Sequence, residues 1–232
     1  GLRDGPSLVD EKRWIHMRTC SLTLAILMTC AVAVKSQDTA AYLFEQGYAH
    51  QVGDGVDRDT KRALAYYTEA IRLDPTLYAP LYNTALIYHG QGNYTNAQNY
   101  FIKAAKSASA MGSDAKLYGA MARNGLGTCL QKLEKNQAAE KQFDIARRMS
   151  SGLVEAHYNY INILVREDRI KEAIAALKMA EKLAPSERYD RYKGILAVKE
   201  KENNRGYVVG LILFILLFFS YGLYLNRSKS RD

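Results

Sequence analysis

Four stretches decide the fold: Lys61-Arg-Ala-Leu-Ala-Tyr-Tyr-Thr-Glu-Ala-Ile-Arg-Leu73, Thr95-Asn-Ala-Gln-Asn-Tyr-Phe-Ile-Lys-Ala-Ala-Lys-Ser107, Gln137-Ala-Ala-Glu-Lys-Gln-Phe-Asp-Ile-Ala-Arg-Arg-Met149 and Ile170-Lys-Glu-Ala-Ile-Ala-Ala-Leu-Lys-Met-Ala-Glu-Lys-Leu183. Each carries two alanines seven residues apart: Ala63 and Ala70, Ala97 and Ala104, Ala139 and Ala146, Ala173 and Ala180. Four residues after the first alanine stands a bulkier group, in turn Tyr67, Phe101, Phe143 and Leu177. Residues at i, i+4 and i+7 share one helical face, so each stretch predicts a helix with a small-large-small stripe. The small groups let backbones approach and the large one fills the remaining space, as native packing density requires. From Ala63 to Ala97 and from Ala139 to Ala173 the step is 34 residues, and from Ala97 to Ala139 it is 42, one period plus an eight-residue insertion. A period in this range means stacked helical hairpins, which present a surface to a partner.

Each of these B helices is preceded by an A helix across a tight turn, as at Gln91-Gly-Asn-Tyr94 and Glu167-Asp-Arg169. In the A helices Gly47, Ala85 and Gly127 recur at the close-contact point, with Tyr88 and Leu130 three residues after the latter two. Ile161 breaks that rule, and looser packing of the fourth A helix is expected from it. Pro75 and Pro185 follow two of the B helices, where a proline ends a helix cleanly. Ser186 is a candidate N-cap, and beyond it Tyr189, Tyr192, Leu196 and Lys199 fall on one stripe. Residues 187–204 are therefore read as a capping helix and linker closing the exposed end of the stack.

This pattern resembles the tetratricopeptide repeat family over residues 40–186, as four repeats. The first unit, Gly47-x5-Gly53-x-Gly55-Val56-x2-Asp59-x2-Arg62-Ala63-x2-Tyr66-Tyr67-x2-Ala70, resembles the Sel-like variant, with His50 where that family usually has tyrosine and Arg62 where it usually has lysine. Its glycines permit a wider turn, because glycine tolerates positive φ. The resemblance implies an all-α fold, a right-handed α-α superhelix whose A helices line a concave groove. Carried over by alignment, the groove positions are Phe44, Tyr48, Gln51, Tyr82, Leu86, His89, Asn124, Thr128, Gln131, Lys132, Tyr158, Asn162 and Arg166. The first half of that set is aromatic and apolar, and the second half is polar with two cations. Such a groove suits a protein or extended peptide with an apolar anchor and an acidic or carboxylate end. The family's clamp for chaperone tails uses Lys and Asn one turn apart in the first A helix, where this chain has Phe44 and Tyr48, so that clamp is not expected.

Met17 to Ser36 has a basic start, an apolar run from Leu22 to Val34 and small residues at its end, the form of a secretory signal peptide cut after Ala33 or Ser36. Residues 1–16, with Asp4, Asp10 and Glu11, fit poorly as part of a leader and are read as an upstream extension. Acylation at Cys30 is disfavoured because Thr29 is larger than the usual preceding residue. Residues 206–226 carry no charge and include thirteen Val, Leu, Ile and Phe. At 1.5 Å per residue they are long enough to cross a hydrocarbon core of about 30 Å. Each such side chain favours insertion by roughly 0.3 to 0.6 kcal/mol near the bilayer centre. A single transmembrane helix is expected there, with Tyr207, Tyr221 and Tyr224 at the interfaces. Gly206 and Gly210 match a helix-dimerisation spacing, read as incidental because Gly206 sits at the boundary. The basic tail 227–232 favours the cytoplasmic side, but Lys199, Lys201 and Arg205 on the near side weaken that asymmetry, so it is the signal peptide that decides and places the repeats in the periplasm or a lumen. If Met17 to Ser36 is not a signal, the alternative is a tail-anchored receptor facing the cytosol. Asn93-Tyr-Thr95 is an N-glycosylation acceptor in an exposed turn.

The chain has a net charge of +8, but between Gln37 and Arg205 there are 24 basic and 20 acidic residues, a balance of only +4. A mixed surface of this kind gives no nucleic-acid footprint. With Cys20 and Cys30 in the leader, Cys129 stands alone in a helix expected from about Ala122 to Leu133, and is read as buried packing. His16, His50, His89 and His157 are scattered without metal spacing, and Asp54, Asp57 and Asp59 lack the spacing of a calcium loop. No phosphate-binding loop or nucleophile motif occurs, so no catalytic residue, metal or cofactor is expected. A link to cell-wall enzymes exists for cysteine-rich Sel-like proteins, but the cysteines of each repeat are missing here.

Overall fold

The computed structural model describes Ser36 and residues 38–229, with side chains through Phe218. All of its regular elements are helical, and no strand occurs among the described residues. The chain divides into two units, one ending at Ser107 and the other beginning at Ala108. The signal-peptide and upstream-extension readings, and Cys20 and Cys30, lie outside the described residues.

The first unit holds two hairpins: α1 (38–52) with α2 (Thr60–Leu73), and α3 (Tyr78–Gly90) with α4 (Tyr94–Ser107). The second holds α5 (Ala115–Lys132) with α6 (Asn136–Met149), and α7 (Val154–Arg166) with α8 (Ile170–Leu183), followed by α9 (Asp190–Lys229). The four B helices thus start within a residue of where the alanine stripes put them. Ala63, Ala70, Ala97, Ala104, Ala139, Ala146, Ala173 and Ala180 are all fully buried.

The eight-residue insertion is shared between two places. The connection from α4 to α5 is three residues longer than the four-residue links before α3 and α7, and α5 is five residues longer than α3 or α7. The helix expected from about Ala122 therefore begins at Ala115. Its extra turn stays close to its neighbours because Gly119 has no side chain: a Cβ there would lie 2.6 Å from Met149 Cε.

The three short A-to-B turns share one geometry. Their middle residues, Gly92, Glu134 and Asp168, are left-handed at φ of 76°, 60° and 56°. The next N–H, of Asn93, Lys135 or Arg169, donates back to Tyr88, Leu130 or Leu164 at 2.9 Å, which satisfies a carbonyl left open at the end of the A helix. The turn between α1 and α2 is four residues longer, with Gly53 and Gly55 at φ of 82° and 68°. Asp59 then caps α2 by accepting from the Lys61 and Arg62 N–H groups at 2.9 and 3.1 Å, and the Arg62 bond leads in holding its carboxyl below the usual range.

The A–B contact is an exchange of volume. Tyr67 and Phe143 are fully buried, and a Cβ on Gly47 or Gly127 would fall 2.7 or 2.5 Å from those rings. In the last hairpin the sizes are reversed: Ile161 is fully buried on the A helix and the B helix carries the smaller Leu177. The looser packing expected at Ile161 is not found, because the volume added on one helix is removed from the other.

Residues 187–189 form a 3-10 turn capped by Ser186, whose Oγ accepts from Arg188 N–H at 3.3 Å. Tyr189, Tyr192 and Leu196 are buried, and Lys199 bonds Asp168, so the whole expected stripe faces the repeats. No linker follows. The segment around Asn204 is helical and α9 runs unbroken through it. Among the described residues no helix is long and apolar enough to cross a membrane. The span expected over 206–226 is therefore not shown: the apolar part with described side chains runs from Gly206 to Phe218, and Lys199, Lys201, Glu202 and Arg205 interrupt it upstream.

Two expectations follow. Gly127→Ala gains about 1 kcal/mol of helix propensity but overpacks Phe143 at a cost of about 1 to 3 kcal/mol. A net fall in melting temperature is expected, recovered by adding Phe143→Leu. The second concerns His157, which is buried in α7 with Nε2 donating to Ser151 O at 3.0 Å. Burial, with Arg147 nearby adding repulsion, holds its pKa below the ordinary 6.5. The unfolded chain then binds a proton that the folded one refuses, so stability is full above pH 6.5 and declines as the pH falls below it. Melting curves should show that decline, and His157→Gln should flatten it.

Candidate functional site

The expected groove residues fall into two groups, those committed to packing and those left outward. In the first unit the Phe44 ring stacks on Tyr67 at 5.8 Å and lies 6.1 Å from Tyr48. Gln51 Oε1 accepts from the Tyr67 hydroxyl at 2.6 Å, and burial pushes that phenol's pKa well above the usual tyrosine value. Tyr82 stacks on Tyr78 at 5.4 Å and meets Phe101 edge-on at 5.6 Å, while His89 meets Tyr94 edge-on at 5.4 Å. Tyr48 and Leu86 remain open, 43 % and 39 % exposed. Gln51 and Leu86 are brought together at a cavity of about 350 Å³ shared with Arg58, Thr60 and Gln91. Val52 is a further exposed apolar residue on α1.

In the second unit Asn124 Oδ1 accepts from Asn159 Nδ2 at 2.9 Å, which ties α5 to α7. Thr128 turns inward, its hydroxyl donating to Gly125 O at 2.7 Å. Gln131 is half-buried, whereas Lys132 and Arg166 are exposed. Tyr158 and Asn162 are not open groove: the Tyr158 ring lies 5.0 Å from that of Tyr192 on α9 and 5.1 Å from the Arg188 guanidinium. Asn162 is hydrogen-bonded to Tyr192, whose pKa is raised by burial first and by Tyr158 second. The reason is positional, since α9 enters one repeat step after α7 and covers what the next A helix would cover.

Two features escaped the sequence. Asn159 was legible only through its partner, 35 residues away and close to the repeat step. Arg169 binds Glu172, Glu140 and Glu167 at 2.7, 2.8 and 3.1 Å, and the Glu172 bond leads in raising its pKa. Its neighbours Glu167 and Glu172 are local, but Glu140 belongs to the preceding hairpin.

Cys129 is fully buried, and burial pushes its thiol up to about 12, so it packs as a small apolar group. Asn93 Oδ1 accepts from Asn96 N–H at 3.2 Å, capping α4 from an exposed turn. Among the described residues no three His, Cys, Asp or Glu are grouped to hold a metal.

Two tetratricopeptide repeat models match the chain, one over residues 77–150 and one over 124–188. No curated protein matches it. Among solved structures, MamA 41-end from Desulfovibrio magneticus RS-1 superposes with a TM-score of 0.56 at 19% identity, covering 72% of this chain and 89% of its own. Pseudomonas aeruginosa pilF gives 0.55 at 15% identity, covering 85% and 93%. The APC/C hetero-tetramer Cut9-Hcn1 gives 0.53 at 19%, with 64% of this chain and 28% of that one covered. At these identities the likeness is one of fold. Over residues 77–188 the chain therefore matches tetratricopeptide repeats, and the solved neighbours share its fold.

Proposed function

We propose that this protein is a membrane-anchored adaptor whose repeats bind a partner protein or extended peptide outside the cytoplasm, in the assembly or quality control of a membrane complex. The observation that carries the adaptor role is the pair Tyr48 and Leu86, apolar side chains left exposed on the A helices of a repeat fold that typically binds proteins. Lys132 and Arg166, exposed on the A helices of the second unit, supply charge for an acidic or carboxylate group. Anchoring is supported by the charge-free run 206–226 and by the exposure of every side chain from Tyr207 to Phe218. The extracytoplasmic placement is supported by the leader-like Met17 to Ser36 and the basic tail 227–232. The first hairpin is Sel-like in this reading, its longer turn using Gly53 and Gly55 at positive φ.

Tyr48→Ala and Arg166→Ala should each weaken partner capture without lowering the melting temperature, because both side chains are exposed; capture equal to the parent's would move the binding face elsewhere. Tyr82 is unsuited to this test because its ring belongs to the packing. Sequencing the mature N-terminus should find Val34 or Gln37. A mature chain that retains Met17 would favour the tail-anchored, cytosol-facing receptor.

A further inference from the structure

Beside the start of the apolar run, where the turn after α7 and the first residues of α8 meet α9, lies a cavity of about 540 Å³. Its lining includes Asp168, Arg169, Lys171, Lys199, Glu202 and Tyr207. Lys199 bonds Asp168 across the opening, and Lys171 Nζ lies 5.6 Å from the centre of the Tyr207 ring. Tyr207 is 61 % exposed and is the first residue of the apolar stretch after Gly206. From Leu196, buried against the repeats, to Tyr207 is eleven residues, or about 16 Å of helix. The contact with Lys171 nevertheless brings the start of α8 level with Tyr207, so the second unit leans along α9.

If α9 enters a bilayer at Tyr207, this cavity sits in the headgroup layer. Resting on the anchoring reading above, we infer that the cavity is a site for a zwitterionic phosphoethanolamine headgroup of a membrane phospholipid. The charge balance selects the class. With Glu172 included, three cations and three carboxylates line the cavity, a set that an anionic headgroup would not complement but a zwitterion does. Lys171 and Lys199 are the donors for the phosphate. Glu202 and Asp168 accept from the ammonium, whose N–H groups make charge-assisted bonds that a quaternary amine cannot. The acyl chains leave past Tyr207 along the exposed apolar side of α9. Aromatic rings and lysine stems with apolar bodies and polar tips suit that level of a membrane.

The test uses the full chain in detergent, stripped of lipid and titrated with phosphatidylethanolamine, phosphatidylglycerol or soluble glycerophosphoethanolamine, with bound lipid read by native mass spectrometry. Phosphatidylethanolamine should bind about tenfold more tightly than phosphatidylglycerol, and Lys171→Glu should lose about tenfold, the scale of one charge-assisted contact. Lys171 is exposed, so an unchanged melting temperature is expected of that variant. Equal affinity for the two lipids, or full binding by Lys171→Glu, would overturn the site. Glycerophosphoethanolamine binding as tightly as the lipid would overturn the membrane source. Flotation with phosphatidylcholine vesicles reads the anchor separately: a chain that floats but shows no preference for phosphatidylethanolamine in the titration refutes the site alone, and one that does not float refutes both.

Discussion

Between each A helix and its B helix there is room for one large side chain, and the rest of the architecture follows from which helix supplies it. Gly47 yields to Tyr67 and Gly127 to Phe143, with a hypothetical Cβ at 2.7 and 2.5 Å from the rings. Ala85 stands opposite Phe101 in register, and in the last hairpin Ile161 takes the volume while the B helix falls back to Leu177. In three hairpins these partners are 16 residues apart, and in the first they are 20 apart because its turn is four residues longer. Packing density therefore fixes the register of each hairpin, and the turns adapt to it. That is why a turn can carry Glu134 or Asp168 in the left-handed region, a conformation that costs an ordinary residue about 1 to 2 kcal/mol.

The same contact orders the candidate binding face. Counted from the contact residue, the expected groove positions lie three before it, one after it, four after it and, for Lys132 and Arg166, five after it. At about 100° per residue these point roughly 60°, 100°, 40° and 140° away from the partner helix, all to the same side. The last value is the outermost, where Lys132 and Arg166 are exposed, and the position one after the contact comes next. Phe44, Tyr82, Asn124 and Tyr158, three before the contact, all turned out to touch neighbouring rings or amides. Tyr48 and Leu86, one after it, stayed open in the first unit. Thr128 departs because a hydroxyl can bond its own helix, and Asn162 because α9 lies against it.

The sequence resolved this face as a stripe but not as a gradient of depth, and the physical reason is general. Periodicity reports direction from a helix axis, whereas exposure depends on what arrives from other helices. The B-helix limits were legible because alanines seven apart and a large group between them encode direction alone. The lengthening of α5 was not, since Ala115 to Met121 are compatible with either helix or loop until Gly119 meets Met149. Arg169 illustrates the other blind spot: two of its acids are sequence neighbours, but the third is set by the approach of α6 to α8.

The least legible element was α9, read as a cap, a linker and a separate apolar helix. Its first turns follow the repeat rule, for Tyr192 comes 34 residues after Tyr158 and touches it. It is in effect a further A helix without a B helix, and its buried face ends at Leu196 with Lys199 bonded beyond it. A B helix would require a turn, and nothing between Leu196 and Tyr207 supplies one: there is no proline, and Gly206 stands inside the helix without a left-handed φ. The helix therefore continues, and its charged middle leads directly into the apolar run. Bending between the two would have to break backbone hydrogen bonds in a continuous helix, which couples the orientation of the second unit to whatever holds the far end of α9.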